Sequence, residues 1–428
     1  MINPTPHAPP LIVVSIDGMR PDFYRKANEF GLNIPHILKL VETGASADAV
    51  ESIYPTTTYP AHATLVTGVP PSVHGIYSHL ASLDPTEKSR PWTWFAAGIR
   101  VPTLWDVGRA IGKKTAAVGW PVSAGARIEY NIPEIWDPAL TDPEKDFSTA
   151  AQHSTRGLFA EVWKHLESNV SGPRPDRLRA EAAFYLWQHY HPDLLLVHLV
   201  EYDQMAHQFG PDSSEALQAI EHADQEVGRF CDEALDGHAA TIVVLSDHGF
   251  VPVDKEAAPL VALAEEGLFG RGPRGRPELK RLGAVHAGGS FALYWLEEPE
   301  ADDEKRLERA LRKFQGTGAV AAILDRGKLA ELEADPDAQF MLDAAPGFYF
   351  SDRFEGPVVR PSVKDRGTHG QLPSRPGLEA GFIAAGRDIA AGKNLGQFSL
   401  TQVAPTLAHL LALPRDILAS QSEPLDMS

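Results

Sequence analysis

Three apolar runs of this 428-residue chain each lead into acidic residues. Residues 11–16 run into Asp17-Gly18. Residues 193–199 run into Val200-Glu201-Tyr202-Asp203, with His207 four positions beyond, and residues 241–245 run into Ser246-Asp247-His248-Gly249. A further histidine, His369, lies in Arg366-Gly367-Thr368-His369-Gly370. Three aspartates and three histidines without a cysteine suit a borderline cation held by carboxylate and imidazole, zinc first. Six donors exceed one tetrahedral shell, and two metals sharing a nucleophile would use them all. Taken singly, each signal has an ordinary reading. An Asp after a strand forms turns or caps helices, an i,i+4 Asp/His pair is a surface ion pair, and Asp-His-Gly is a solvated turn.

The block from Ile53 to Gly68 reads Ile-Tyr-Pro-Thr-Thr-Thr-Tyr-Pro-Ala-His-Ala-Thr-Leu-Val-Thr-Gly. A hydroxyl, an aromatic and a proline ahead of helix formers and a glycine stop predict a helix starting near Pro60, with Thr58 as its cap. A cap is the structural reading of Thr58. The functional reading puts its hydroxyl at a helix N-terminus, where the dipole favours an alkoxide and free N–H groups bind phosphate oxygens.

The elements that would carry these residues alternate. Short buried runs at 11–16, 115–119, 193–199, 241–245 and 381–385 read as strands of a parallel sheet. Helical stretches at 34–43, 177–189, 214–236 and 401–413 lie between them or follow, which predicts a doubly wound α/β fold. In such sheets ligands bind beyond the carboxyl ends of the strands, so the three acids meet at one edge. Residues 78–146, rich in Trp and Pro turns, are a candidate lid. Residues 252–346 differ in composition, with a Gly/Pro/Arg-rich piece at 270–277, a charged helix at 302–314 and a strand at 290–295. They read as an insert or cap within a single domain spanning 1–428.

Composition narrows the partners. Thirty-nine basic against 57 acidic residues give a net charge of −18, which disfavours duplex nucleic acid and anionic membrane surfaces. A small phosphorylated substrate stays open, since bound metal supplies positive charge the count omits. The single Cys231 forbids intramolecular disulfides and cysteine metal clusters. No apolar run approaches the ~20 residues of a spanning helix, and residues 1–10 lack the charged and apolar regions of a secretion signal. The chain as written is therefore expected to be cytoplasmic, or periplasmic or secreted if a leader has been trimmed away. Its oligomeric state is not encoded legibly.

Six blocks together resemble the nucleotide pyrophosphatase/phosphodiesterase branch of the alkaline phosphatase superfamily. They are Asp17-Gly18 with Arg20-Pro21, the Pro55-Thr56-x-Thr58-aromatic-Pro60 block ending Thr67-Gly68, and His74-Gly75-Ile76, then Asp203-x-x-x-His207 with Gly210-Pro211, Ser246-Asp247-His248-Gly249, and Thr368-His369-Gly370. They occur in the family's order, and Val403-Ala404-Pro405-Thr406-Leu407 looks like its last helix.

The resemblance implies an alkaline-phosphatase-like, mostly parallel sheet flanked by helices. It implies Thr58 as nucleophile between two zinc ions, with manganese as the other metal to consider. Asp17, Asp247 and His248 match the ligands of one ion, and Asp203, His207 and His369 those of the other. The implied reaction cleaves phosphodiester or pyrophosphate substrates, nucleotides among them, through a phosphorylated threonine. Tyr59 corresponds to an aromatic that stacks a nucleobase in relatives. His79 stands where relatives carry an asparagine that binds a phosphoryl oxygen, either donating the same bond from its ring or altering substrate choice. His286 is a further histidine that could reach the site from the insert. Competing readings are a phosphonoacetate-type hydrolase or phosphomonoesterase of the same fold and, from another class, a non-catalytic metal-binding protein.

Overall fold

The computed structural model describes residues 8–428 apart from 88–89, 138–139, 141, 173, 236–239, 272–276, 279–280 and 415–416. The expectations for residues 1–7, for Asp236 and for the middle of the 270–277 piece fall outside the described residues.

An eight-stranded sheet organises the chain. Its strands are β1 (Leu11–Ile16), β2 (Ala45–Ser46), β3 (Thr115–Val118), β4 (Tyr130–Ile132), β5 (Leu194–Leu199), β6 (Thr241–Leu245), β15 (Phe382–Ala385) and β16 (Lys393–Asn394). They lie in the order β16-β2-β15-β6-β1-β5-β3-β4. β1 is central and pairs in parallel with β5 and β6, Leu11 opposite both Leu194 and Thr241. The register brings the ends of these strands to one edge, with Ile16 opposite Leu199 and Ser15 opposite Leu245. Asp17 leaves the sheet there, its N–H donating to the Leu199 carbonyl at 2.9 Å.

Both faces of the sheet are covered, which is why these strands read as unbroken apolar runs. Side chains alternate along β1. Ile12, Val14 and Ile16 join one apolar cluster with Ile37, Phe184 and Val227, while Leu11 and Val13 join another with Leu65, Val403 and Leu407. The first layer holds helices α1 (Pro35–Thr43), α3 (Pro175–Tyr190) and α5 (Ser214–Leu235), and the second α2 (Thr58–Thr67) and α6 (Val403–Leu410).

One expectation is corrected here. The run at 381–385 is a strand of the sheet, but β15 runs antiparallel to β6 and β2. Strand direction depends on the path of the connection, which the apolar run does not encode. Within 78–146 the strand expected at 115–119 is β3, and β4 beside it forms the edge of the main sheet.

Residues 251–368 build separate sheets. β8 (Leu282–Ala287), β9 (Ser290–Trp295), β11 (Phe340–Ala344) and β10 (Val320–Asp325) form one antiparallel sheet in that order. β7 (Val251–Ala257) pairs with β12 (Gly347–Phe350), β13 (Val359–Pro361) and β14 (Gly367–Thr368). Leu260, Phe291, Leu293, Phe314 and Leu342 belong to their own apolar cluster. Among the described residues no helix is long and apolar enough to cross a membrane.

Candidate metal centre and nucleophile

Local chemistry holds each donor in place. Gly18 takes φ +74°, and a Cβ there would stand 3.0 Å from the Phe250 ring. That left-handed turn is cheap only for glycine, and it lets the Gly18 N–H donate to Asp247 Oδ1 at 3.2 Å. Helix α4 (Glu201–Phe209) carries Asp203 in its first turn and His207 one turn later. The start of α4 is capped from elsewhere in the chain: Asp176 Oδ1 accepts the N–H of Val200 at 2.6 Å and of Glu201 at 3.2 Å. Such a cap satisfies donors that a helix start leaves unpaired. β14 and the turn after it deliver His369.

Two groups of three donors result, Asp203/His207/His369 and Asp17/Asp247/His248, each with ligand atoms within 4.8 Å of one another. The His248 and His369 rings stack at 3.8 Å, so the groups adjoin. All three imidazoles use Nδ1 on a backbone carbonyl: His207 on Gly367 at 3.1 Å, His369 on Thr56 at 2.9 Å and His248 on Gly249 at 3.0 Å. With Nδ1 as donor, each Nε2 presents a lone pair toward the carboxylates. Nε2 of His207 and of His369 each lie 3.5 Å from Asp203 Oδ1. Nε2 of His248 lies 3.2 Å from Asp247 Oδ2.

The same three aspartates each have a buried oxygen that accepts no hydrogen bond among the described residues: Asp17 Oδ1, Asp203 Oδ1 and Asp247 Oδ2. Orphaned buried carboxylate oxygens are costly. Facing imidazole lone pairs, they fit cations and little else. The charges strain one another accordingly. Burial, followed by the repulsion of Asp247 and Asp203, pushes the Asp17 carboxyl well above its usual range. Burial also raises Asp203, whereas at Asp247 the neighbouring His248, His62 and His198 outweigh burial and hold it low. Burial, with His248 and His207 adding to it, drives His369 well below the ordinary imidazole value. His369 is therefore a neutral donor.

Thr58 is the one residue between Ser52 and Val69 that is not buried. Its Oγ1 lies 3.3 Å from His248 Nε2 and 3.5 Å from Asp17 Oδ2. The helix begins at Thr58, two residues before Pro60, so Thr58 is its first residue and not its cap, and no side chain caps it. Pro60 fits at the third helical position because the first four N–H groups of a helix have no intrahelical acceptor. The hydroxyl thus points at the donor cluster and does not serve as a cap.

The remaining predicted residues divide. Tyr59 is only 1% exposed, donates its hydroxyl to Glu134 Oε1 at 2.9 Å and packs edge-on against Trp92. It offers no open face to a nucleobase, because a partner 75 residues away has claimed its polar end. His79 is half-buried against Trp92, with ring centroids 4.7 Å apart, and the ring of His286 on β8 stands 6.0 Å off. Burial, then His286 and Arg90, lowers His79 well below the ordinary value, so its ring is neutral. Among the described residues no hydrogen bond joins His79 to Thr58. His286 Nε2 faces Asp352 Oδ2 at 3.7 Å.

Behind the donors, His198 and Glu134 went unread in the sequence, whereas His62 was expected to pack and not to ligate. His198 Nε2 reaches Asp17 Oδ2 at 3.1 Å, and its Nδ1 reaches Glu134 Oε2 at 2.9 Å. Burial works against charge on His198, yet Glu134 and Asp17 prevail and hold it up at about 10. Burial is likewise outweighed at Glu134, which His198 and Arg179 hold at about 2. His62 Nδ1 bonds the Thr58 carbonyl at 2.9 Å and its Nε2 meets Ser15 Oγ at 3.0 Å. Burial lowers His62 to about 3. The one available signal was a lone histidine inside the apolar run of β5.

This fold and site define the class: an alkaline-phosphatase-like α/β protein with an acid- and imidazole-lined centre beside a threonine hydroxyl. The profile of the type I phosphodiesterase/nucleotide pyrophosphatase family matches residues 11–372, and the chain belongs to that family. It is 27% identical over 254 residues to human ectonucleotide pyrophosphatase/phosphodiesterase family member 1, covering 56% of this chain and 23% of that protein. The chain thus spans about a quarter of that relative's length. It is 25% identical over 436 residues to an uncharacterized pyrophosphatase/phosphodiesterase of Schizosaccharomyces pombe, covering 94% of this chain and 77% of that one. Among solved structures, mouse ectonucleotide pyrophosphatase/phosphodiesterase 5, an inactive variant in complex with AMP, superposes with a TM-score of 0.67 at 17% identity. That match covers 98% of this chain and 97% of the other.

Proposed function

We propose that this chain is a two-metal phosphodiesterase acting on nucleotide-type phosphodiester or pyrophosphate substrates through Thr58. The observation that carries this reading is the place of Thr58 Oγ1, the accessible hydroxyl of its segment, 3.3 Å from His248 Nε2 and 3.5 Å from Asp17 Oδ2. Asp17, Asp247 and His248 would hold one ion and Asp203, His207 and His369 the other, zinc by the softness of the donors. When bound, such ions lower the pKa of a hydroxyl and neutralise phosphoryl oxygens. Thr58 Oγ1 attacks phosphorus in line, the P–O bond to the alcohol or nucleotide breaks, and the leaving oxygen is protonated. Water then cleaves the phosphorylated threonine and restores the hydroxyl. His62 contributes by anchoring the Thr58 carbonyl, which fixes the first turn of α2.

Family membership supports the diester and pyrophosphate class, and the AMP complex of the mouse relative supports a nucleotide product. With Tyr59 buried, Trp92 takes over as the aromatic surface for a leaving group. The test is turnover of bis-p-nitrophenyl phosphate against p-nitrophenyl phosphate by zinc-loaded protein. The diester should be preferred. No turnover of either ester by fully metallated protein sinks the reading, and preference for the monoester moves it to the phosphomonoesterase alternative.

A further inference from the structure

Behind the donors a closed circuit of contacts joins Thr58 and Asp17 to His198, Glu134 and Tyr59, three side chains to which the proposed reaction gives no part. Thr58 Oγ1 approaches Asp17 Oδ2 at 3.5 Å, and that same oxygen is met by His198 Nε2 at 3.1 Å. His198 Nδ1 meets Glu134 Oε2 at 2.9 Å, and Glu134 Oε1 accepts the hydroxyl of Tyr59 at 2.9 Å. Tyr59 is the peptide neighbour of Thr58, which closes the ring. Arg179 Nη1 donates to Glu134 Oε2 at 3.0 Å and to the His198 carbonyl at 3.2 Å. Every side chain of the circuit except Thr58 is buried, and Glu134 sits in the segment after β4, at the far end of the sheet order from β15.

We infer that Glu134 is a positioning residue that locks the orientation of the Asp17 carboxylate and its spacing from Thr58. The argument is one of degrees of freedom. A carboxylate beside a cation can rotate and exchange its two oxygens. At Asp17 one oxygen, Oδ2, is tied by His198, whereas Oδ1 is buried and left without a hydrogen bond among the described residues. Only Oδ1 is therefore offered to an ion. His198 can hold Oδ2 in place only if its own ring cannot turn, and at the opposite ring nitrogen Glu134 Oε2 at 2.9 Å is the shorter restraint, with the Gly119 carbonyl at 3.2 Å. The second oxygen of Glu134 fixes Tyr59, so one carboxylate sets the ligand and the nucleophile against each other. Outer partners of this kind orient ligands, and losing one typically costs about 10–100-fold in metal affinity or activity. The circuit is also fully bonded at Glu134, the condition under which a buried polar network rigidifies a site.

This inference rests on the proposed function in one respect, that Asp17 ligates an ion. The test uses the full chain with zinc and with cobalt as a spectroscopic substitute. Glu134→Gln should retain the wild-type circular dichroism while binding one of its two ions about 10–100-fold more weakly in chelator competition. The visible bands of the cobalt form should shift, and kcat should fall with KM little changed. Tyr59→Phe leaves the His198–Asp17 arm intact, so it should keep wild-type ion affinity and cobalt bands and lower kcat alone. Glu134→Gln with wild-type affinity and wild-type bands overturns the inference. Should Glu134→Gln fail to fold, His198→Gln decides by the same two readouts. Wild-type protein that binds neither ion would instead defeat the functional reading, so the two failures are distinguishable.

Discussion

The Nε2 atoms of His207 and His369 lie 3.2 Å apart, each ring already committed through Nδ1 to a backbone carbonyl. Two rings so arranged turn their Nε2 atoms to one spot, with Asp203 Oδ1 equidistant at 3.5 Å from both. The arrangement is unfavourable alone and favourable around a cation. Chelation should therefore destabilise the protein. Zinc returned at a thousand times its dissociation constant should restore about 4 kcal/mol per site, read as a rise in the calorimetric unfolding midpoint. An unchanged midpoint across that titration would show that these donors hold no ion.

Thr58→Ala removes one hydroxyl from a residue whose backbone is held by His62 and whose helix has no side-chain cap to lose. Both ions should remain bound, and diesterase turnover should fall by more than about 10²-fold, as expected when a nucleophile is lost. Thr58→Ser should retain much of the rate. Metal content by atomic absorption separates loss of the nucleophile from loss of ions. A Thr58→Ala enzyme within tenfold of wild type would mean that water attacks phosphorus directly.

His79 and Trp92 form one surface, with ring centroids 4.7 Å apart. A neutral His79 can donate a single ring N–H to a phosphoryl oxygen. Replacing it with alanine should cost roughly 10²-fold in kcat, the usual loss for one such donor. Trp92→Ala should instead raise KM for nucleotide esters and leave a small alkyl ester unaffected, since a stacking surface acts on the leaving group alone. Steady-state kinetics on the two ester types decides. Equal effects of Trp92→Ala on both esters would make Trp92 a packing residue.

What the sequence made legible was local. β1, β5 and β6 are doubly covered strands whose apolar runs stop at the sheet edge, so the acids that follow them were visible without knowing how the strands pair. The i,i+4 spacing of Asp203 and His207 likewise survives as one face of α4. Burial of Tyr59 could not be read locally, because its fate is decided by Glu134, far along the chain and in no recognisable motif. His198 was passed over because one polar residue in an apolar strand carries no spacing signal. The antiparallel direction of β15 was missed because an apolar run looks the same in either direction. Contacts set by chain path, and not by periodicity, are the ones that escaped.

Asp176 and Glu201, each accepting amide hydrogen bonds at the start of the other's helix, give a pH prediction with a definite sign. Asp176 N–H donates to Glu201 Oε1 at 3.1 Å, and Asp176 Oδ1 accepts from the Val200 and Glu201 amides. Burial, then the charge of Asp176, raises the Glu201 carboxyl from 4.5 to about 7. A carboxyl raised on folding binds its proton more tightly in the native state. Its contribution is therefore full below 4.5 and is lost as pH rises through about 7. Glu201→Gln keeps the acceptor for the Asp176 amide while removing that titration. The unfolding free energy of wild type should fall between pH 4.5 and 7 by a component that the variant lacks, so the variant should gain on wild type across this window and be at least as stable at pH 8. Chemical denaturation of chelated protein at several pH values reads this directly. Parallel pH profiles for the two proteins would mean that Glu201 is ionised throughout and that Arg174, 3.9 Å from its Oε2, neutralises it.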